Sequence, residues 1–135
     1  MSYVFDTNIL VYYLNGSFSQ TEQETLDGMF KASFQISVMS KLELLGWKGH
    51  TVDSLSRAGA FLADAVIIPV DTAVADRVVY LMRHYAIALP DAIIAATAIE
   101  TDSMLVTRNT ADMAKIRQMR VIDPFRGSPP LPFPE

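Results

Sequence analysis

A chain of 135 residues, half of them hydrophobic and none of them cysteine, suits one compact domain and excludes a disulfide framework, a thiolate metal site and a disordered chain. Fifteen acids against eleven bases give a net charge of −4, the wrong sign for gripping nucleic acid by phosphate neutralisation alone. The first residues carry no basic leader, and Asp6 interrupts the apolar stretch too early for a signal peptide or membrane span, so a cytoplasmic protein without membrane contact is expected.

The opening stretch, Tyr3-Val4-Phe5-Asp6-Thr7-Asn8, leads into the apolar run Ile9-Leu10-Val11-Tyr12-Tyr13-Leu14. Strand formers meet a carboxylate, a hydroxyl and an amide just before residues that a helix can bury, which describes a strand-to-helix junction carrying an acid. In an open parallel sheet, ligands bind outside the carboxyl ends of the strands, so Asp6 stands in a functional position for such a fold. The competing reading is a plain helix cap at Asp6 or Asn8.

After the loop Asn15-Gly16-Ser17, Thr21 to Lys31 reads as an amphipathic helix burying Leu26, Met29 and Phe30. Phe34 to Val38 is a short strand, running into Ser40-Lys41-Leu42-Glu43. There the S-x-x-E spacing matches a capping box, which by itself would account for Glu43. Thr51 to Ala65 is helical and Val66-Ile67-Ile68 a strand, and Asp71-Thr72 opens a helix with Val74, Val78, Leu81, Met82 and Tyr85 as its buried stripe. Asp71 and Asp76 read as a cap and a surface charge.

Leu89-Pro90-Asp91 opens a helix whose small, nearly uncharged continuation to Ile99 marks it as buried almost all round. An acid at such a helix start points into the body of the protein and calls for a partner, for which a cation is suitable. Met104 to Thr107 is a strand ending in the polar cluster Thr107-Arg108-Asn109-Thr110-Ala111-Asp112, before a helix from Met113 to Ile116 and a last strand, Arg120 to Asp123. These elements make a domain over residues 1–126, followed by a proline-rich extended tail at 127–135. The element order describes a layered α/β domain with a mainly parallel sheet of about five strands. Arg108, Lys115, Arg117, Arg120 and Arg126 concentrate late in the chain, forming either a local positive patch or a solvated helix face.

Asp6, Glu43, Asp91 and the Asn109/Asp112 pair share one description: each lies in the first turn after a strand or at the mouth of a buried helix. Folding a parallel sheet brings such ends to one edge, where like charges need compensation. With no cysteine and only His50 and His84, an all-oxygen donor set selects Mg²⁺ or Mn²⁺, and hard cations held by carboxylates are equipment for phosphodiester hydrolysis.

Asp6-Thr7-Asn8, Ser40-x-x-Glu43-Leu44, Leu89-Pro90-Asp91-Ala92-x-Ile94-Ala95-Ala96 and Leu105-Val106-Thr107-Arg108-Asn109 resemble, in order and separation, the sequence blocks of PIN-domain ribonucleases. In size the chain is similar to the VapC-type toxins of toxin–antitoxin pairs. The resemblance implies a PIN-like three-layer α/β fold and a metal-dependent endoribonuclease acting on RNA. It also implies a homodimer inhibited by a small cognate antitoxin. By position, Asp6, Glu43 and Asp91 match the main family acids and would hold Mg²⁺ or Mn²⁺. Many members have Asp where this chain has Asn109, with Asp112 three residues on. Thr7 and Thr107 match polar positions that orient a carboxylate or the attacking water, capping being their alternative role, and Arg108 is a candidate phosphate contact. Two other readings stay open: a binding module that has lost its metal, and a phosphotransfer enzyme of another α/β class, which would want a second Asp where Asn8 stands. Tyr13 is expected in the core, and Trp47, between Gly46 and Lys48-Gly49, in a groove by the cleft that an antitoxin helix could fill.

Overall fold

A computed structural model describes residues 1–16 and 18–125 of the chain; Ser17 of the expected loop, Arg126 and the tail at 127–135 lie outside the described residues. The elements run β1 (Tyr3–Phe5), α1 (Thr7–Asn15), α2 (Gln20–Ala32), β2 (Gln35–Ser37), α3 (Val38–Leu45), α4 (Val52–Leu62), β3 (Val66–Ile68), α5 (Thr72–His84), α6 (Leu89–Glu100), β4 (Met104–Val106), α7 (Thr110–Met113) and β5 (Val121–Ile122). The five strands order as β3-β2-β1-β4-β5, and every neighbouring pair is parallel.

Successive residues of a strand face opposite sides of its sheet, and here each side is covered by helices. Val4 and Leu105 join Val78, Leu81, Ala95 and Met113 in a core beneath α5, α6 and α7. Phe5, Ile36 and Val106 face the other way, against Ile9, Leu10, Leu26 and Leu44. That second face is aromatic: Phe5 meets Phe30 at 4.5 Å and Tyr12 stacks on Phe125 at 4.2 Å between ring centroids. Tyr13 belongs to the same cluster, stacking on Phe61 at 5.2 Å. Truncating fully buried Phe5 to Ala would cost about 3–5 kcal/mol.

Several boundaries differ from the sequence expectations for local reasons. The helix expected from Thr21 starts at Gln20, because Ser19 and Glu22 form a reciprocal capping box. The box expected at Ser40 and Glu43 does not form: α3 begins at Val38, and its cap is Ser37, whose hydroxyl accepts the Met39 N–H at 3.0 Å. Ser40 and Glu43 thereby fall inside the helix with their side chains released for other partners. Met82 is 46% exposed, since Val74, Val78 and Leu81 already fill the inward stripe of α5. The late helix spans Thr110–Met113 rather than Met113–Ile116. Asp71 caps α5 through the Val74 N–H at 2.9 Å, as expected.

Chain order and sheet order together create the crevice. From central β1 the chain moves outward through β2 to β3, then returns to place β4 on the other side of β1. After β1 it turns into α1, which packs on the aromatic face, while after β4 it turns toward α7, whose Met113 lies in the opposite core. The carboxyl ends of β1 and β4 thus diverge to opposite faces, the switch point at which open parallel sheets bind ligands. Among the described residues no helix is long and apolar enough to cross a membrane.

Candidate active site

Asp6 is the first residue beyond β1, and its N–H extends the ladder by donating to Val106 O at 2.9 Å. The residue is 5% exposed. Its Oδ1 accepts the Thr7 N–H at 2.7 Å, and its Oδ2 accepts the Thr107 hydroxyl at 2.8 Å and the Asn8 amide at 3.3 Å. Asp6 is therefore both a helix cap and a buried anion. Burial pushes its carboxyl up to about 6; the bonds from Thr107 and Thr7 pull the other way, and the Asp91 and Glu43 charges add to the rise.

The Thr7 hydroxyl donates to Glu43 Oε1 at 2.6 Å and lies 2.9 Å from Ser40 Oγ. These are the partners for which α3 was freed by starting at Val38, and they turn Glu43 from a supposed cap into a wall of the cleft. Asn8 crosses the seam between the strands: its amide reaches Asp6 and, at 3.4 Å, Thr107 Oγ1, while its carbonyl accepts the Arg108 N–H at 3.2 Å. Thr107 is fully buried and also accepts the Asn109 N–H at 2.9 Å. Asn8 and Ser40 were missed as site residues. The D-T-N run carried the signal for Asn8, whereas Ser40 could be found only by its contact with Thr7.

Asp6, Thr7, Asn8, Glu43, Asp91 and Asn109 line one cleft of about 170 Å³. Asp91 sits in the first turn of α6, behind Pro90, and its carboxyl is raised, first by burial and then by the Asp112 charge. Asp112 does not line that cleft. It lines an adjoining pocket with Asp91 and Asn109, and its exposed carboxylate is 3.8 Å from Lys115 Nζ.

Arg108, a candidate phosphate contact, has partners on the aromatic face. Its guanidinium is 3.6 Å from Asp123 Oδ2 and 4.7 Å above the Tyr12 ring, so an ion pair and a cation–π contact hold it against the aromatic face. Of the other late bases, Arg120 faces Asp102 at 3.2 Å and Arg126 lies outside the described residues.

The donor set suits a hard divalent cation. It offers three carboxylates and the Asn109 amide oxygen, all oxygen ligands, and among the described residues none of the three acids has an ion-pair partner. They share the cleft without being gathered around one point: among the described residues no three His, Cys, Asp or Glu side chains form a ready ion-holding group.

The PIN domain family model matches residues 3–118. The chain belongs to the PIN domain family. This PIN domain is also similar to chains in solved structures. One, in a toxin–antitoxin complex from Klebsiella pneumoniae, is 32% identical with a TM-score of 0.73, the match covering 90% of this chain and 97% of that one. A chain of VapBC2 from Rickettsia felis, bound to a DNA fragment from its promoter, is 24% identical with a TM-score of 0.77, covering 90% and 98%. A chain of VapBC-1 from nontypeable Haemophilus influenzae is 20% identical with a TM-score of 0.76, covering 92% and 98%. The last two show the shared fold. Comparison with curated protein sequences gave no match.

Proposed function

We propose that this PIN domain is a Mg²⁺- or Mn²⁺-dependent endoribonuclease, the toxin of a toxin–antitoxin pair, acting as a homodimer in the cytoplasm. The observation that carries the reading is Asp6: a buried carboxylate held by three hydrogen bonds at the switch-point crevice, sharing it with Glu43 and Asp91. The similar structures are toxin–antitoxin and VapBC complexes, which supports the biological setting.

Asp6, Asp91 and Glu43 would hold the ion. When bound, it would supply the positive charge that acidifies a water molecule and offsets the charge of a phosphodiester. Thr107 and Asn8 fix the Asp6 carboxylate, and its hydrogen bonds favour the ionised form needed for coordination. Thr7 engages Oε1 of Glu43, leaving Oε2 to take a proton from the attacking water. Attack at phosphorus forms the new P–O bond and breaks the bond to the 3′-oxygen, which is protonated as it leaves, giving a 5′-phosphate and a 3′-hydroxyl. The RNA 2′-hydroxyl is not consumed.

The antitoxin partner fits a second surface. Val11 and Leu14 of α1, Leu44 of α3, Trp47 and His50 line a largely apolar groove of about 270 Å³. Leu44 is the neighbour of Glu43, so the groove begins one residue from the cleft. His50 lies 2.6 Å from Leu44 O and meets the Trp47 ring edge-on at 5.1 Å. Gly49 permits this fold of the chain, since a Cβ there would collide with the indole. An apolar helix of the antitoxin would occupy the groove and direct a basic side chain toward the acids.

The deciding experiment compares wild type with Asp6→Asn on end-labelled RNA in Mg²⁺, Mn²⁺ and excess chelator. Cleavage by wild type alone, and only with the ion, is expected. Equal cleavage by the two proteins, or none by wild type, would sink the assignment.

A further inference from the structure

Beside the cleft lies a second cavity of about 270 Å³ that shares two residues with it, Asp91 and Asn109. The shared wall makes the two spaces adjoin, so a strand whose phosphodiester lies among the acids has a neighbouring residue within reach of the second cavity. The remaining lining differs in kind from that of the cleft. Tyr85, at the end of α5, contributes an aromatic ring and is anchored at its hydroxyl by the Arg117 N–H at 3.3 Å. Ile87, Met113 and Ile116 add apolar surface. Ala86 and Ala88, in the link between α5 and α6, add small side chains to the lining.

The charge of this cavity decides what it can take. Asp91 and Asp112 on its wall disfavour a second phosphate, while a neutral planar group with N–H donors meets an aromatic face, apolar walls and oxygen acceptors. Lys115 is the only base among the described lining residues, and it pairs with Asp112 in an exposed geometry, at 3.8 Å with both side chains more than 70% exposed. Exposed pairs of that kind are weak and readily exchanged for another partner. A nucleobase matches this description: it stacks on an aromatic side chain and offers its edge to hydrogen-bond acceptors, which is how single-stranded RNA is usually read.

Resting on the nuclease reading above, we propose that the cavity between Tyr85, Met113 and Asp112 is a base-binding subsite, taking one of the two bases that flank the cleaved phosphodiester and favouring bases with an exocyclic amino group. Adenine, guanine and cytosine carry such a group and can donate it to the Asp112 carboxylate or the Asn109 carbonyl; uracil carries none, and its single ring donor, N3–H, lies between two carbonyl oxygens that would face the acceptors. Tyr85 supplies stacking without base identity, and Asp112 supplies identity. The two contributions separate in experiment.

The test uses a set of short single-stranded oligoribonucleotides that differ only in the base on either side of the cleaved bond, each cleaved by wild type, Tyr85→Ala and Asp112→Ala in Mn²⁺. Wild type should prefer amino-bearing bases at one flank by about tenfold in kcat/KM. Tyr85→Ala should raise KM about tenfold for all bases with kcat little changed, and Asp112→Ala should flatten the preference. In chelator, an oligonucleotide with 2-aminopurine at that flank should be quenched on binding wild type and less so on binding Tyr85→Ala. Because the Asp112 side chain is exposed, its variant keeps the test valid even where Tyr85→Ala fails to fold. RNA cleavage with the same base ratios in wild type and Asp112→Ala would overturn the subsite and leave the nuclease intact. Absence of cleavage by every protein, wild type included, would overturn both.

Discussion

The two walls of the cleft are built on opposite plans. On the wall formed by β1, α1, α3 and β4, each polar group is held by another: Asp6 by Thr7, Asn8 and Thr107, Glu43 by Thr7, and Thr7 in turn by Ser40. On the wall formed by α6 and the turn after β4, no hydrogen bond among the described residues reaches the Asp91 carboxylate. Asn109 there is held through its backbone, its N–H donating to Thr107 Oγ1 and its carbonyl accepting the Met113 N–H, and Asp112 is largely exposed. The difference follows from burial. A carboxylate 5% exposed must be compensated by fixed donors or it would be protonated or expelled, whereas a half-buried one still has water. One wall is preorganised, and the other has freedom to adjust to an ion or a strand.

Paired substitutions break that contrast most sharply. Asp6→Asn and Asp91→Ala should each lower metal-dependent cleavage by at least about 10³-fold. Their stabilities should diverge. The Asp6 carboxyl sits near 6 in the folded protein against an ordinary 3.8, so between those pH values the folded state binds more proton than the unfolded chain. Stability is lost as pH rises through that window. Asp6→Asn should therefore be more stable than wild type at pH 8 by on the order of 1–2 kcal/mol, once the loss of a hydrogen bond is set against the relief of burial. That advantage should vanish below about pH 4, as urea unfolding at the two pH values would show. Mn²⁺ should raise the wild-type Tm at pH 8, less so below pH 6, and leave that of Asp6→Asn unchanged. A wild type no less stable at pH 8 than at pH 5 without metal would contradict the account of the buried acid.

Thr7→Val comes next. It removes the donor to Glu43 while keeping the shape, and should cost about 1–2 kcal/mol of stability and 10- to 100-fold in cleavage rate, by about the range assigned to proton transfer. A double-mutant cycle with Glu43→Gln should show strong non-additivity; additive losses in kcat would mean that Thr7 does not act through Glu43. On the looser wall the expected effects on metal are smaller. Asn109→Ala should weaken Mn²⁺ binding several-fold and Asp112→Ala less than that, measured by calorimetry, because only Asn109 lines the cleft with Asp6. A larger loss in Asp112→Ala would assign the fourth-acid role to Asp112. The smallest effect on cleavage belongs to Trp47→Ala, which should leave the rate within about twofold while weakening antitoxin binding by at least tenfold, as expected for an interfacial aromatic anchor.

Strands such as Tyr3–Phe5 and Met104–Val106 were legible as short apolar runs; the place of Asp6 followed from where the first of them ends, and that of Asp91 from the mouth of the buried helix α6. Sequence proximity misled at α3. Ser40 and Glu43 have the spacing of a local cap, and nothing nearby reveals that Ser37 takes that role or that Thr7, 36 residues before Glu43, claims its carboxylate. Arg108 posed the same difficulty: its neighbours are polar, but its partners are the Tyr12 ring and Asp123. For Asn8 a local cap was one sufficient role, while its function as a tie across the seam depends on which strand lies beside β1. Such pairings belong to the topology.

The order of the strands also sets a timetable for synthesis. Asp6 is made before the residues that surround it: the hydroxyl that fixes it, Thr107, lies 101 positions later, and the strand beside β1 on that side is the fourth of the five among the described residues. At about 5–20 residues per second, a ribosome spends several seconds or more displaying the first acid without the strand that completes its surroundings. The cleft as described is complete only when β4 has docked beside β1 and Thr107 has reached Asp6.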